Sequence, residues 1–133
     1  VRRQRQMCIR DSYNANPDSM AAALAMFREY PCQRRYALLG DMLELGDTSR
    51  TSHEQLGALA AACGLDGLVT YGSEAKRTAV VAAAKGVQTV HAATHAEAAE
   101  TLAKWVRPGD AVLVKASRGM ALEKALALFY AQS

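Results

Sequence analysis

Asp110–Lys115 reads DAVLVK, an apolar, β-branched run that starts just after Pro108 and Gly109 and passes into the polar turn ASRGM at Ala116–Met120. A short apolar segment without polar alternation suits a strand buried on both faces, the condition met inside a parallel sheet covered by helices. Similar signatures stand at Arg35–Gly40 (RYALLG) and Gly67–Tyr71, with a weaker one at Val87–His91. Near the start of the chain only Met7, Cys8 and Ile9 offer a further short strand.

Helical stripes separate these runs. Asn16 suits an N-cap, Pro17 the first helical position and Asp18 the positive end of the helix dipole, and Met20, Leu24 and Phe27 then line one face. Thr51 with Glu54 reads as a capping box ahead of Leu56, Leu59, Ala60 and Cys63, a stripe stopped by Gly64. Ser73 is the expected cap of a helix reaching Lys85, and Thr94 with Glu97 boxes another carrying Ala96, Ala99, Leu102, Ala103 and Val106. A last helix is expected over Met120–Tyr130. Such alternation predicts one α/β domain, a mostly parallel sheet of about five or six strands with helices on both faces. Ligands in such sheets sit at the carboxyl ends of the strands. Asp11–Asn16, Asp41–Thr48, Gly72–Ser73 and Ala116–Gly119 are therefore expected to share one rim.

The formal charge of +3 falls to −1 without Arg2, Arg3, Arg5 and Arg10, so the basicity belongs to a leader over residues 1–10 and gives no support for nucleic-acid binding. That leader is expected to be foreign or disordered. Cys8, Cys32 and Cys63 lack paired spacings, which fits a reducing, cytoplasmic setting. No apolar run approaches the roughly 18 residues of a membrane span.

The chain has no G-x-x-x-x-G-K-[ST] loop and no G-x-G-x-x-G turn, so a complete nucleotide site is not expected in it. His91 and His95 lack further ligands nearby in sequence and are read as solvated loop histidines, with no metal assigned. Ser117 has no G-x-S-x-G surround and is not a hydrolase nucleophile. Lys115, Ser117 and Arg118 precede a helix start, where exposed N–H groups and a guanidinium suit an anion; equally, both cations are solvated and Ser117 caps the helix. In Gly40–Gly46 (GDMLELG), Asp41 and Glu44 either hold a metal or a cationic amine, or face water while the apolar residues pack. His53 either reaches this loop or lies on the polar face of its helix.

Three segments in order, DSYNANPDSM from Asp11, RRYALLGDMLELG with His53 downstream, and DAVLVKASRGMALEKAL, resemble the C-terminal domain of the Mur ligases of peptidoglycan synthesis. The resemblance runs from about Asp11 to Phe129, so residues 11–133 are expected to form that domain. It implies a Rossmann-like sheet and the last of three domains of an ATP-dependent amide-bond enzyme, inactive alone. ATP and Mg2+ would be held mainly by the absent central domain, where ATP phosphorylates the substrate carboxylate before an amine attacks it. The nearest branch of the family implies UDP-N-acetylmuramoyl-tripeptide and D-Ala-D-Ala as substrates, a monomer, no nucleic acid and no membrane span. Asp11, Tyr13, Asn14 and Asn16 match the family's nucleotide-facing loop, and Lys115, Ser117 and Arg118 match its segment near the acceptor; no catalytic residue and no metal ligand is carried over. Ala116 stands where the family usually has glycine, which bears on how closely a ligand approaches the backbone. The rival readings are the equivalent domain of a folylpolyglutamate-type amino-acid ligase and a stand-alone α/β interaction domain.

Overall fold

The computed structural model describes Met7–Arg10 and Ala15–Gln132. Its sheet has five strands, all parallel: β1 (Met7–Arg10), β2 (Arg35–Gly40), β3 (Gly67–Tyr71), β4 (Thr89–Ala92) and β5 (Ala111–Lys115), in the spatial order β1-β5-β2-β3-β4. Met7–Arg10, inside the expected leader, pairs along β5 and forms one edge. Between and after the strands run α1 (Pro17–Arg28), α2 (Ser49–Ala62), α3 (Ala75–Ala84), α4 (His95–Trp105) and α5 (Glu123–Gln132).

The apolar runs become central strands because only two-sided cover removes their surface from water. Ala37, Leu38 and Leu39 of β2 and Val112 and Leu113 of β5 are all fully buried. On one face Met20, Leu24 and Phe27 of α1 pack with Leu56 and Ala60 of α2, Ala82 of α3, and Ala37, Leu39 and Leu113. On the other, Ala98 and Leu102 of α4 and Ala125, Leu126 and Phe129 of α5 pack with Leu38, Val69, Val112 and Val114. Each fully buried large side chain contributes about 1.5–3 kcal/mol by area removed from water. The connections toward β4 place α1, α2 and α3 on one face, and the return from β4 to β5 places α4 on the other, as a single crossover hand requires.

The helix starts agree with the sequence reading at α1 and α4 and differ from it at α2 and α3. Asn16 does cap α1: its Oδ1 accepts from the Ser19 N–H at 2.8 Å, and Ser19 Oγ accepts from the Asn16 N–H at 3.0 Å. α2, however, begins at Ser49, so Thr51 lies inside it and Glu54 pairs with Arg50 at 3.3 Å. Ser73 does not cap α3, which starts at Ala75. Thr94 caps α4 as expected, but Glu97 Oε1 accepts from the Ala93 N–H at 2.8 Å and so completes no box with Thr94 itself. β4 begins two residues later than the sequence indicated. Arg118–Met120 forms a 3-10 turn, and Ala121, at φ 53°, breaks the chain direction before α5.

α2 and α3 touch at Gly57, where an added Cβ would stand 2.6 Å from the Thr78 carbonyl oxygen and 2.8 Å from Val81 Cβ. Alanine would raise helix propensity by about 1 kcal/mol, whereas overpacking against a fixed backbone costs about 1–3 kcal/mol. Gly57→Ala is therefore expected to destabilise the chain by about 1 kcal/mol in urea denaturation, the opposite sign from a surface Gly→Ala change.

Candidate functional site

The loops after β1 and β2 lead to helices on one face and the loop after β5 leads to the other, so the backbone parts at the carboxyl ends of these neighbouring strands. A cavity of about 550 Å³ opens there, lined by Ala15 and Asn16, by Leu43, Glu44 and Leu45, and by Ser117, Arg118 and Gly119. Three of the four expected rim loops meet at it. The fourth, Gly72–Ser73, stands outside the lining.

The wall from the β2 loop is built from buried polar groups. Asp41, 3% exposed, uses Oδ1 to accept from the N–H groups of Glu74 and Ala75 at 3.0 and 2.7 Å, thereby capping α3 from outside that helix. Its carbonyl accepts from the Ser117 N–H at 3.0 Å. Ser117 Oγ accepts from the Leu43 N–H at 2.8 Å and donates to the Ala15 carbonyl at 3.5 Å, which ties the three loops together. His53 is fully buried rather than on a polar face; its Nε2 accepts from the Met42 N–H at 3.0 Å. Met42 is buried, while Leu43 and Glu44 face outward, Glu44 with a left-handed φ of 63°.

These contacts correct several expectations. Asp41 and Glu44 do not form a pair, since one carboxylate is committed to α3 and the other is exposed. Ser117 makes no side-chain cap bond; its hydroxyl serves the β2 loop. Lys115 is not solvated: it is 2% exposed and ends β5 beneath the rim, whereas Arg118 is exposed. His91 and His95 are not solvated loop residues either. His91 Nδ1 lies 2.7 Å from Thr70 Oγ1, and His95 holds the Met120 carbonyl through Nε2 at 2.9 Å while stacking on Tyr71 at 4.5 Å. Asp11, Tyr13 and Asn14, expected to face a nucleotide, lie outside the described residues. Asn16 lines the cavity, with its Oδ1 already engaged by Ser19. The sequence reading did not select Ala15, Leu43, Leu45 or Gly119, whose side chains carry no chemistry that marks them.

Comparison with known proteins gives the family of this fold. The profile described as "Mur ligase, glutamate ligase domain" matches residues 1–118. The chain belongs to the Mur ligase family. UDP-N-acetylmuramoyl-tripeptide--D-alanyl-D-alanine ligases of Mycobacterium leprae and Synechocystis are 40% and 38% identical to it, over 86% and 84% of the chain. The chain spans about a quarter of the length of these relatives, 26% and 25%. The crystal structure of MurF ligase from Thermotoga maritima in complex with ADP matches 99% of the chain, and 30% of its own, with a TM-score of 0.85 at 28% identity. A crystal structure of MurF from Acinetobacter baumannii gives 0.85 at 30% identity, over 98% of this chain and 29% of its own.

In this Mur ligase domain Ala116 is accommodated without left-handed backbone, since Glu44 and Ala121 are the non-glycine residues with positive φ among those described. Its methyl occupies the space over Gly40, where an added Cβ would stand 2.7 Å from Ala116 Cβ. The side chain at 116 thus serves the packing of β2 against β5.

Two outcomes follow for stability. Asp41→Ala leaves the Glu74 and Ala75 N–H groups without their acceptor, so a loss of about 2–3 kcal/mol is expected in chemical denaturation. Burial, and then the charge of Lys76, hold the His91 pKa below its usual 6.5. Between its folded and unfolded values the unfolded chain binds the extra proton, so stability falls as pH drops through about 6.5 and below. His91→Gln should flatten that part of a stability–pH curve, measured by thermal melts.

Proposed function

We propose that this domain is the C-terminal lid of an ATP-dependent ligase that joins D-Ala-D-Ala to a UDP-N-acetylmuramoyl-tripeptide in cytoplasmic peptidoglycan precursor synthesis. The observation that carries the reading is the open cavity at the β1–β5–β2 carboxyl ends, with Asn16 on one side and Ser117 and Arg118 on the other. An open, polar cleft fits a surface that meets its substrates only when a second domain closes over them. The relatives that share most of this chain's length carry that activity in their names, and the Thermotoga maritima neighbour is in complex with ADP.

On this reading Asp11, Tyr13, Asn14 and Asn16 contact the adenosine part of the nucleotide, and Arg118 grips the dipeptide carboxylate, a charge-assisted and bidentate contact. Ser117 keeps the loops in register, and Lys115 lies buried beneath them. ATP and Mg2+ are then held mainly by the central domain; among the described residues no group of three His, Cys, Asp or Glu side chains is placed to hold a metal ion. Closure orients the amine and keeps water from the activated carboxyl group, effects worth several kcal/mol of barrier. Among the described residues no helix is long and apolar enough to cross a membrane.

The test joins this chain to the central and N-terminal domains of a homologous ligase and follows ATP consumption. Dependence on D-Ala-D-Ala is the expected result. Dependence on glutamate would favour a folylpolyglutamate-type ligase, and an inert fusion would favour a non-enzymatic domain. Arg118→Ala should raise the KM for D-Ala-D-Ala roughly ten- to a hundredfold, the equivalent of one charged hydrogen-bonded contact; an unchanged KM removes the carboxylate role.

A further inference from the structure

His53 lies beneath the cavity wall and touches none of its open space, yet both of its ring nitrogens are engaged by the backbone. Nε2 faces the Met42 N–H at 3.0 Å and Nδ1 faces the Ser49 carbonyl at 2.7 Å. A backbone N–H only donates and a carbonyl only accepts. The pair therefore selects one species, the neutral ring with its proton on Nδ1. A proton on Nε2 would set two donors against each other in a fully buried place.

The ring is itself held. Ser49 Oγ lies 3.2 Å from Nδ1 and donates to Glu74 Oε1 at 2.8 Å, and Thr78 Oγ1 donates to the His53 carbonyl at 2.8 Å. The Glu74 N–H returns to Asp41, the residue before Met42. A closed circuit of hydrogen bonds thus runs from the β2 loop through α2 and the start of α3 and back. Leu43, Glu44 and Leu45, the part of the cavity wall supplied by β2, continue directly from the N–H that His53 holds. Glu44 keeps its left-handed φ of 63° in that segment, a conformation that persists only where neighbouring contacts over-determine it.

We infer that His53 is a positioning residue: as the Nδ1-protonated neutral tautomer it fixes the Met42 N–H and so sets the Leu43–Leu45 wall against which the acceptor substrate is held. The part that concerns substrate rests on the ligase reading above. The part that concerns the wall does not.

The experiment has two arms. In the 133-residue chain, ring 15N spectra are expected to show His53 with a pyrrole-type Nδ1 and a pyridine-type Nε2; the reverse pattern overturns the inference in the unmutated protein. Amide hydrogen exchange is then compared in His53→Leu, which fills the space without an acceptor, and His53→Gln, whose Oε1 replaces Nε2. Exchange at Met42 and Leu43 should quicken about tenfold or more in the leucine variant and return toward the parent in the glutamine variant. Equal exchange in the parent and both variants overturns the role. In the fused ligase, His53→Leu should raise the KM for D-Ala-D-Ala with a smaller change in kcat and in the KM for ATP, and His53→Gln should restore it; equal losses in every parameter mean that the ring only supports folding. A parent fusion that consumes no ATP with D-Ala-D-Ala counts against the ligase reading alone, and the spectra and exchange still decide whether His53 sets the wall.

Discussion

Asp41 and Met42 send three polar groups in three directions, and the rim stands on that divergence. The Asp41 carboxylate goes to α3, its carbonyl to the loop after β5, and the next N–H to α2. Parallel order makes this possible because the end of β2 lies between the ends of β5 and β3. Adjacent strands are about 4.8 Å apart, so one dipeptide reaches both neighbours. Each bond replaces water that a buried group has lost, and an unmatched partner would cost about 1–3 kcal/mol. The close approach of Gly40 to Ala116 keeps the two loops near enough for the Ser117 N–H to reach Asp41.

The strained position at Glu44 belongs to the same arrangement. A non-glycine residue in left-handed conformation costs about 1–3 kcal/mol. The two fixed points before it, Met42 on His53 and Leu43 on Ser117, supply bonds of comparable worth. Strain there turns Leu43 and Glu44 outward while Met42 is buried, so the loop anchors itself in the core and presents a surface within three residues.

The elements whose stability comes from their own residues were legible in the sequence. β2 and β5 announce themselves by unbroken apolar runs, and α1 by a cap, a proline and a stripe in succession. What the sequence hid was every feature supplied from a distance. Ser73 looked like the cap of α3 because local spacing cannot show a carboxylate arriving from Asp41, more than thirty residues earlier. His53 has the composition of a solvated helix position, and its burial follows only from the loop folded over it. Lys115 is buried because β5 is an interior strand, flanked by β1 and β2, a consequence of strand order rather than of any neighbour in sequence. The cavity was legible as a convergence of loops, since strand polarity alone directs them to one end. Its actual lining depended on which side of the sheet each loop then took.

That division explains how a domain with an open cleft can still present a defined surface. If the β2 loop ordered only on contact with substrate, each immobilised side chain would take about 0.5–1.5 kcal/mol from binding. Here the wall is tied within the fold itself, because the bonds that fix it run to α2, to α3 and to the loop after β5. Arg118, exposed between Ser117 and Gly119, has its backbone set by the same loop contacts while its side chain faces the open side. Any ligand that enters the cleft thus meets a wall already formed, and its contact free energy is not spent on ordering that loop.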